Sequence, residues 1–348
     1  MPHKITSVSP GKIILTGEHS VVYDKPALLA AIDREVRVEI EEAEKDKVLI
    51  EASKVGLKKS FVITELAEHW RQASQAWEDY SKNGKDKTWR AFSKDPAMVV
   101  KASAGLFYAQ MDKNGGVKMV ITSAIPVGSG MGSSASVSSA ILGGLAEYFS
   151  LGWSKDKVYE ETYQIEQIAH GKASGADPAA VIYGGCLEFQ KTGDVKHIQP
   201  YRLPEYKGAI CLIDSGKPAE TTGEMVAMVN SQFSSANSPI KEIIEQIGRL
   251  SEKVIKQVKN GRMRWEWVPE NERWLEELEV VGNKAKLIIN SLKKENICAK
   301  VCGAGGVKTG SGMVLAYHEE PDRLQYAVGQ LGLSCYQVRL GADGWRIK

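Results

Sequence analysis

Apolar residues recur along this chain in two rhythms, one that fits strands and one that fits helices. Ile5 and Val8 lead to Pro10-Gly11, which reads as a turn, and Ile13-Ile14-Leu15 form the next apolar run. A further run, Leu28 to Ile32, precedes Val36, Val38 and Ile40, which alternate with Glu35, Arg37 and Glu39 as on a half-exposed strand. Residues 65–110 are polar, carry Trp70, Trp77 and Trp89, and read as helices. Val117 to Thr122 reads as a strand running into a glycine-rich loop at 128–132.

Two helices are expected after that loop. The first, from about Ser134 to Phe149, is rich in Ser, Ala and Gly. The second has Ser154 as its N-cap, Gly171 just past its end, and a stripe of Val158, Thr162, Ile165 and Ala169. Leu187 to Phe189 reads as the last strand of this half. Beyond Pro200 and Pro204 the pattern restarts with a strand at 209–213 and helices near 222–232, 236–259 and 270–293. Strands near 298–303 and 312–317 follow, then a helix opened by Pro321-Asp322 and a last strand near 335–340. Mixed elements in both halves give an α+β chain, divided into residues 1–200 and 201–348.

Composition narrows the function classes. The 348 residues suffice for two packed domains, and 43% apolar with 25% charged is ordinary globular usage. Forty-five basic against forty-three acidic residues leave a net charge of +2, which is no footprint for nucleic acid. No apolar stretch approaches the roughly eighteen residues of a bilayer span. The start, MPHKITSVSPGKIIL, lacks the apolar segment and cleavage site of a signal peptide. Cys186, Cys211, Cys298, Cys302 and Cys335 are odd in number, and they favour neither a disulfide framework nor a zinc site. The expected setting is a reducing cytoplasm, with no membrane partner.

Three segments carry the chemistry. The sharpest runs from Pro126 to Ser136 (PVGSGMGSSAS), between an expected strand and a helix that opens on small residues. Glycines let the backbone wrap a ligand, and a helix start offers unpaired N–H groups and partial positive charge to a phosphate. Ser133 and Ser134 add hydroxyls for phosphate or a bound Mg²⁺. The segment is neither GxGxxG, since Ser133 stands at the last glycine, nor a Walker loop, since no lysine follows. The second segment spans Pro10 to Tyr23, with Lys12 entering an apolar strand and Glu18-His19 after Gly17. The third runs from Glu166 to Pro178, where Glu166 and His170 share one helix face and Ser174 and Asp177 follow a sharp turn. Each alone has an ordinary reading: a packed turn, a solvated lysine, a helix end before an Asp-Pro turn. Together they supply a phosphate cradle, a fixed cation, a carboxylate with hydroxyls for Mg²⁺, and a carboxylate for the attacking hydroxyl.

In that order the segments resemble those of the GHMP kinases (galactokinase, homoserine kinase, mevalonate kinase, phosphomevalonate kinase). PVGSGMGSSAS is similar to the family's PxGxGLGSSA, and KVCGAGGVKTGSGMVLAY resembles its C-terminal glycine segment. GEHSVVYDKPA and EQIAHGKASGADPAAVIYGG resemble the mevalonate kinase branch. The resemblance implies a two-domain fold, the first domain like domain 2 of ribosomal protein S5 and the second ferredoxin-like, with the site between them. It implies ATP and Mg²⁺, and a small acceptor, mevalonate or a related hydroxy acid. It implies that Asp177 receives or orients the acceptor's hydroxyl proton and that Lys12 supports Asp177 and the transferred group. Ser134 and Glu166 would hold Mg²⁺, and Pro126, Gly128, Ser129, Gly130, Gly132, Ser133 and Ser134 would wrap the nucleotide's phosphates. Glu18, His19, His170, Ser174, Gly303, Ala304 and Gly305 would face the acceptor.

The C-terminal segment departs from an unbroken glycine run at Val307-Lys308-Thr309, where Lys308 reads as solvated. Asp214-Ser215-Gly216-Lys217 stands for the family's Asp-Thr-Gly segment. Residues 65–110 match no family segment; a share in forming the adenine pocket is the expectation for them. Other GHMP reactions remain as alternatives: phosphomevalonate kinase, mevalonate 3-kinase or a sugar kinase. Galactokinases carry an Asp after their GEH, in GEHTDY, whereas this chain has GEHSVVY, which speaks against a hexose. A non-catalytic ligand-binding member would be expected to lack Lys12, Glu166 or Asp177, and all three are present. The family also admits a homodimer.

Overall fold

A computed structural model describes residues 4–83, 87–111, 115–126, 128–171, 173–193, 195–233 and 238–348. Val127 and Lys172, inside two of the segments above, and the first two residues of the helix expected from 236 lie outside them.

The first layer is a mixed sheet. β1 (Lys4–Thr16) pairs antiparallel with β2 (Ala27–Glu42), which continues to β5 (Val117–Ser123) on one side. β3 (Lys47–Ala52) and β4 (Leu57–Val62), a hairpin that the apolar pattern does not announce, extend the sheet through a parallel β3–β5 pairing. Pro10-Gly11 corrects the expectation of a turn, because the chain runs straight through it as one strand. Gly11 stands opposite Ile32 and Pro10 opposite Glu35, so the irregularity is a bulge that leaves Asp33 and Arg34 over on β2.

The described part of 65–110 is mainly helical, as expected: α1 (Ile63–Asn83), α2 (Lys87–Ser93) and α3 (Met98–Gln110). α4 (Ser133–Tyr148) follows the glycine loop, then α5 (Lys155–His170) and α6 (Ala176–Tyr183). The small residues of α4 have a packing cause. A Cβ at Gly144 would lie 2.8 Å from Ser7 Cβ and 2.9 Å from Ile40 Cδ1, so this helix lies directly on β1 and β2. Ser154 Oγ accepts from Lys157 N at 3.2 Å and caps α5, whose Val158, Thr162 and Ile165 are fully buried. β6 (Cys186–Thr192) is not the last strand of this half, since β7 (Val195–Tyr201) pairs with it as a hairpin.

The second sheet is drawn wholly from later residues. β8 (Ala209–Asp214) is followed by α7 (Thr222–Phe233), α8 (Pro239–Lys259), α9 (Trp267–Glu277) and α10 (Asn283–Lys294). The single helix expected over 270–293 is two, because Glu279 takes a left-handed φ of 57° and Val281 forms a bridge to Gly306. β9 (Cys298–Val301), β10 (Met313–His318), α11 (Pro321–Gln330) and β11 (Cys335–Val338) complete an antiparallel sheet in the order β11-β8-β10-β9. That is the ferredoxin-like βαββαβ arrangement, with extra helices between its first two strands. A last strand, β12 (Arg346–Ile347), lies beyond the one expected near 335–340 and returns to the edge of the first sheet beside β1.

One cysteine expectation is corrected here. Cys211 on β8 and Cys335 on β11 form a disulfide, their Cα atoms 6.2 Å apart. Cys211 faces Gln337 and Cys335 faces Ile213, so the two sit diagonally on neighbouring strands, and only the pairing reveals their proximity. Among the described residues no helix is long and apolar enough to cross a membrane.

Candidate active site

Lys12 on β1 and Asp177 in the first turn of α6 converge. Lys12 Nζ lies 2.8 Å from Asp177 Oδ1, with the lysine 4% exposed and the aspartate 35%. Lys12 N also donates to Met131 O at 3.0 Å, which ties β1 to the glycine loop. A Cβ at Gly132 would meet Lys12 Cγ at 2.8 Å, and Gly132 has a φ of 71°, so the loop closes over the lysine stem only with glycine there.

Gly128 and Gly130 also take left-handed φ of 73° each. Ser129 Oγ turns back to donate to Pro126 O at 2.8 Å and so fixes the loop. Gly132 is the N-cap of α4 and supplies no side-chain cap, which leaves the first N–H groups of this helix for an anion. Ser133 and Ser134 stand in that first turn. A small apolar cavity lies beside it, lined by Ala52, Val55, Val100, Ile121 and Val137 together with Ser133. Val100 belongs to the 65–110 region, which thus reaches this cavity.

Glu166 is buried, and Ser134 Oγ and His170 gather beside it. Ser134 Oγ stands 3.2 Å from His170 Nε2, which is 3.5 Å from Glu166 Oε2. Burial pushes the Glu166 carboxyl up, and Asp177's charge adds to this against the opposing pull of His170, Ser134 and Lys12. Its Oε1 is buried with no hydrogen-bond partner. The helix end that carries these groups is held from outside. Trp77 Nε1 donates to Gly171 O at 2.8 Å and Trp89 Nε1 donates to Ile168 O at 2.7 Å. Tyr80 stacks on Trp89 with centroids 3.9 Å apart, and both rings press on Gly171. The tryptophans were visible in the sequence, but not their hold on α5.

His19 has a left-handed φ of 59° and lies buried, its Nε2 3.1 Å from Ala304 O. It thereby links the β1–β2 loop to the second domain's glycine segment. Burial lowers its pKa to about 4, so the ring is neutral and Nε2 is the donor to that carbonyl. Gly303 and Gly305 flank Ala304 with φ of 91° and 73°, and Gly306 N donates to Val280 O at 2.9 Å. Ser174 Oγ accepts from Ala176 N at 3.2 Å, just before Asp177. Lys308 is exposed, as its sequence setting implied.

Glu18 is the correction. It does not face a cleft: it is wholly buried in an ion pair with Lys300 of β9. Asn271 Nδ2 donates to the other oxygen at 3.4 Å, and Thr16 Oγ1 donates to Asn271 Oδ1 at 2.7 Å. Burial alone would depress the Lys300 ammonium, but Glu18 outweighs it and holds the lysine charged. The signal for Lys300 was a lone lysine inside the apolar strand Cys298–Val301.

A phosphate cradle, a buried cation–carboxylate pair and a second carboxylate at one helix start define a phosphotransferase site. Comparison agrees with this. The family model described as the GHMP kinases N terminal domain matches residues 98–185. The mevalonate kinase of Pyrococcus furiosus is 34% identical over 254 residues, 72% of this chain and 69% of that one. The mevalonate kinase of Thermococcus sibiricus is 30% identical over 357 residues, 99% and 98% of the two chains. Among solved structures, a crystal structure of mevalonate kinase superposes with a TM-score of 0.75 at 20% identity, covering 97% and 99%. Lactococcus lactis galactokinase complexed with galactose gives 0.73 at 19% identity, covering 99% and 95%. These two superpositions establish the fold. The chain belongs to the GHMP kinases, ATP-dependent small-molecule kinases, and within them to the mevalonate kinase branch.

Proposed function

We propose that this chain transfers the γ-phosphoryl group of ATP to the 5-hydroxyl of mevalonate. The observation that carries the reading is the Lys12–Asp177 pair, 2.8 Å long and seated under Gly132 of the glycine loop. In this mechanism the acceptor's hydroxyl oxygen forms a bond to the γ-phosphorus while the bond to the β-bridging oxygen breaks and ADP departs. Asp177 orients that hydroxyl and receives its proton. A loose transition state makes little demand on a base. Lys12 stabilises charge on the attacking and transferred oxygens, and the N–H groups of Gly128 to Ser134 wrap the phosphates.

Glu166 and Ser134 are the residues that would hold Mg²⁺, which neutralises charge on the phosphate oxygens. The buried, unpartnered Oε1 of Glu166 fits that use. Among the described residues no cluster of three or more His, Cys, Asp or Glu side chains exists that could hold a metal. His19, His170, Ser174 and the 303–305 turn form the acceptor's wall, and Glu18 acts behind it through Lys300. The division into residues 1–200 and 201–348 belongs to the same reading, with the last strand returning to the first unit.

The test is ADP release with MgATP against mevalonate, phosphomevalonate, homoserine, galactose and glycerate, the product's position read by NMR. Turnover of mevalonate to the 5-phosphate is expected. Preference for another acceptor replaces the substrate, and no turnover of any of them sinks the catalytic reading.

A further inference from the structure

The β6–β7 hairpin places a cation against the turn that leads to Asp177. Lys196 on β7 stands directly opposite Lys191 on β6, a like-charged cross-strand pair that destabilises the hairpin unless an anion offsets it. Lys196 Nζ sits 3.2 Å above the ring centroid of Tyr163 and 5.5 Å from that of Tyr159, both on α5. Among the described residues no carboxylate lies within ion-pair distance of it. The ammonium also lies 3.4 Å from where a Cβ at Gly175 would be. Gly175, with a φ of 95°, is the N-cap of α6, and Asp177 stands in the first turn of that helix.

Two further observations point to a ligand. Tyr159 is 8% exposed, and its Oη, buried and without a hydrogen-bond partner, lies 2.6 Å from the same Gly175 Cβ position. Burial, with Lys191 adding to it, lowers the Lys196 ammonium to about 8, the state of a cation short of a counter-charge. A helix start supplies partial positive charge at the same place. Tyr163 is committed elsewhere, since its Oη donates to Ala173 O at 3.2 Å.

We propose that Lys196, at the Gly175 turn, holds the carboxylate of the acceptor while Asp177 holds its hydroxyl. This rests on the reading of the acceptor as mevalonate, whose two functional ends are separated by a short carbon chain. Asp177 stands only two residues beyond Gly175, in the first turn of α6. Lys191 supports the subsite through its charge, and the two tyrosine faces hold the Lys196 ammonium by cation–π attraction. Lys196 is thus a specificity residue, acting on which acceptor is held and not on the transfer itself.

The test compares mevalonate with 3-methylpentane-1,3,5-triol, in which a hydroxymethyl group replaces the carboxylate. Binding is measured by calorimetry and turnover by ADP release, for the wild type, K196M, K196Q and K196R. The wild type is expected to bind mevalonate at least about tenfold more tightly than the triol, the scale of one charge-assisted hydrogen bond. K196M, or K196Q where the methionine variant does not fold, should abolish most of that preference with the KM for ATP unchanged. K196R should keep it. A preference that survives K196M and K196Q, or equal weakening of both acceptors, overturns the subsite alone. A wild type that binds mevalonate no better than the triol also overturns it. No mevalonate binding by the wild type overturns the reading of the acceptor as well.

Discussion

Glu18 and Lys300 form a fully buried ion pair between the loop after β1 and the strand β9, joining the two sheets of the molecule. A charge left alone in that place has no water to turn to. K300M is therefore expected to destabilise the protein by about 3–5 kcal/mol, the cost of breaking a buried pair. The double variant E18L/K300M should recover most of the loss, because a matched apolar pair leaves nothing unpaired. Urea unfolding of the three proteins checks this. A double variant no more stable than K300M would show that the pair is not the source of the effect.

Lys12 and Asp177 should behave differently, as groups that serve the transfer. K12A and D177A are each expected to lower kcat by more than about a hundredfold, the scale seen when one such electrostatic group is removed. Folding should survive D177A, since Asp177 is partly exposed. Steady-state kinetics with circular dichroism as a fold control decides it, and near-normal turnover in either variant refutes these roles.

The indole clamp on α5 predicts a metal phenotype from outside the site. W89F keeps the aromatic ring and removes the N–H that holds Ile168 O. Loosening that helix end should shift Glu166 and His170 and raise the half-saturating Mg²⁺ concentration several-fold, with excess Mg²⁺ restoring kcat. The expected size is that of one lost hydrogen bond, about 1 kcal/mol. A Mg²⁺ titration identical to the wild type's would mean that the clamp only stabilises the fold.

His19 gives a pH signature. Its pKa falls from 6.5 to about 4 on burial, so between those values the unfolded chain binds a proton that the folded chain does not. Stability is then lost as pH falls through that window, by an amount on the order of 2–3 kcal/mol for this group. Asn is polar, like neutral His, and does not titrate. H19N should therefore lose less stability than the wild type between pH 6.5 and 4, measured by denaturant unfolding. Parallel curves would rule out His19 as a source.

The three functional segments were legible because each is short and local: a cradle, a strand with one lysine, and a helix end before a turn. What was misread depended on distant partners. Pro10-Gly11 has the local preference of a turn, but pairing with β2 on both sides keeps it in a strand. Glu18 looked like an acceptor contact because its partner, Lys300, stands 282 residues away. The break between α9 and α10 rests on the Val281–Gly306 bridge, another long-range pairing. The role of Trp77 and Trp89 was hidden for the same reason, since a tryptophan's sequence neighbours do not say whose carbonyl it will reach.

The chain crosses between its two sheets twice, after β7 and again between β11 and β12, and the crossings touch. Leu340 N donates to Tyr206 Oη at 3.3 Å, and Gly341 lies against Leu203. The two crossings are therefore tied to each other as well as to both sheets. Gly185 N donates to Ala342 O at 2.8 Å, so the crossings are fastened just past the end of α6, the helix whose first turn carries Asp177. That tie and Asp177 thus stand at the two ends of one eight-residue helix.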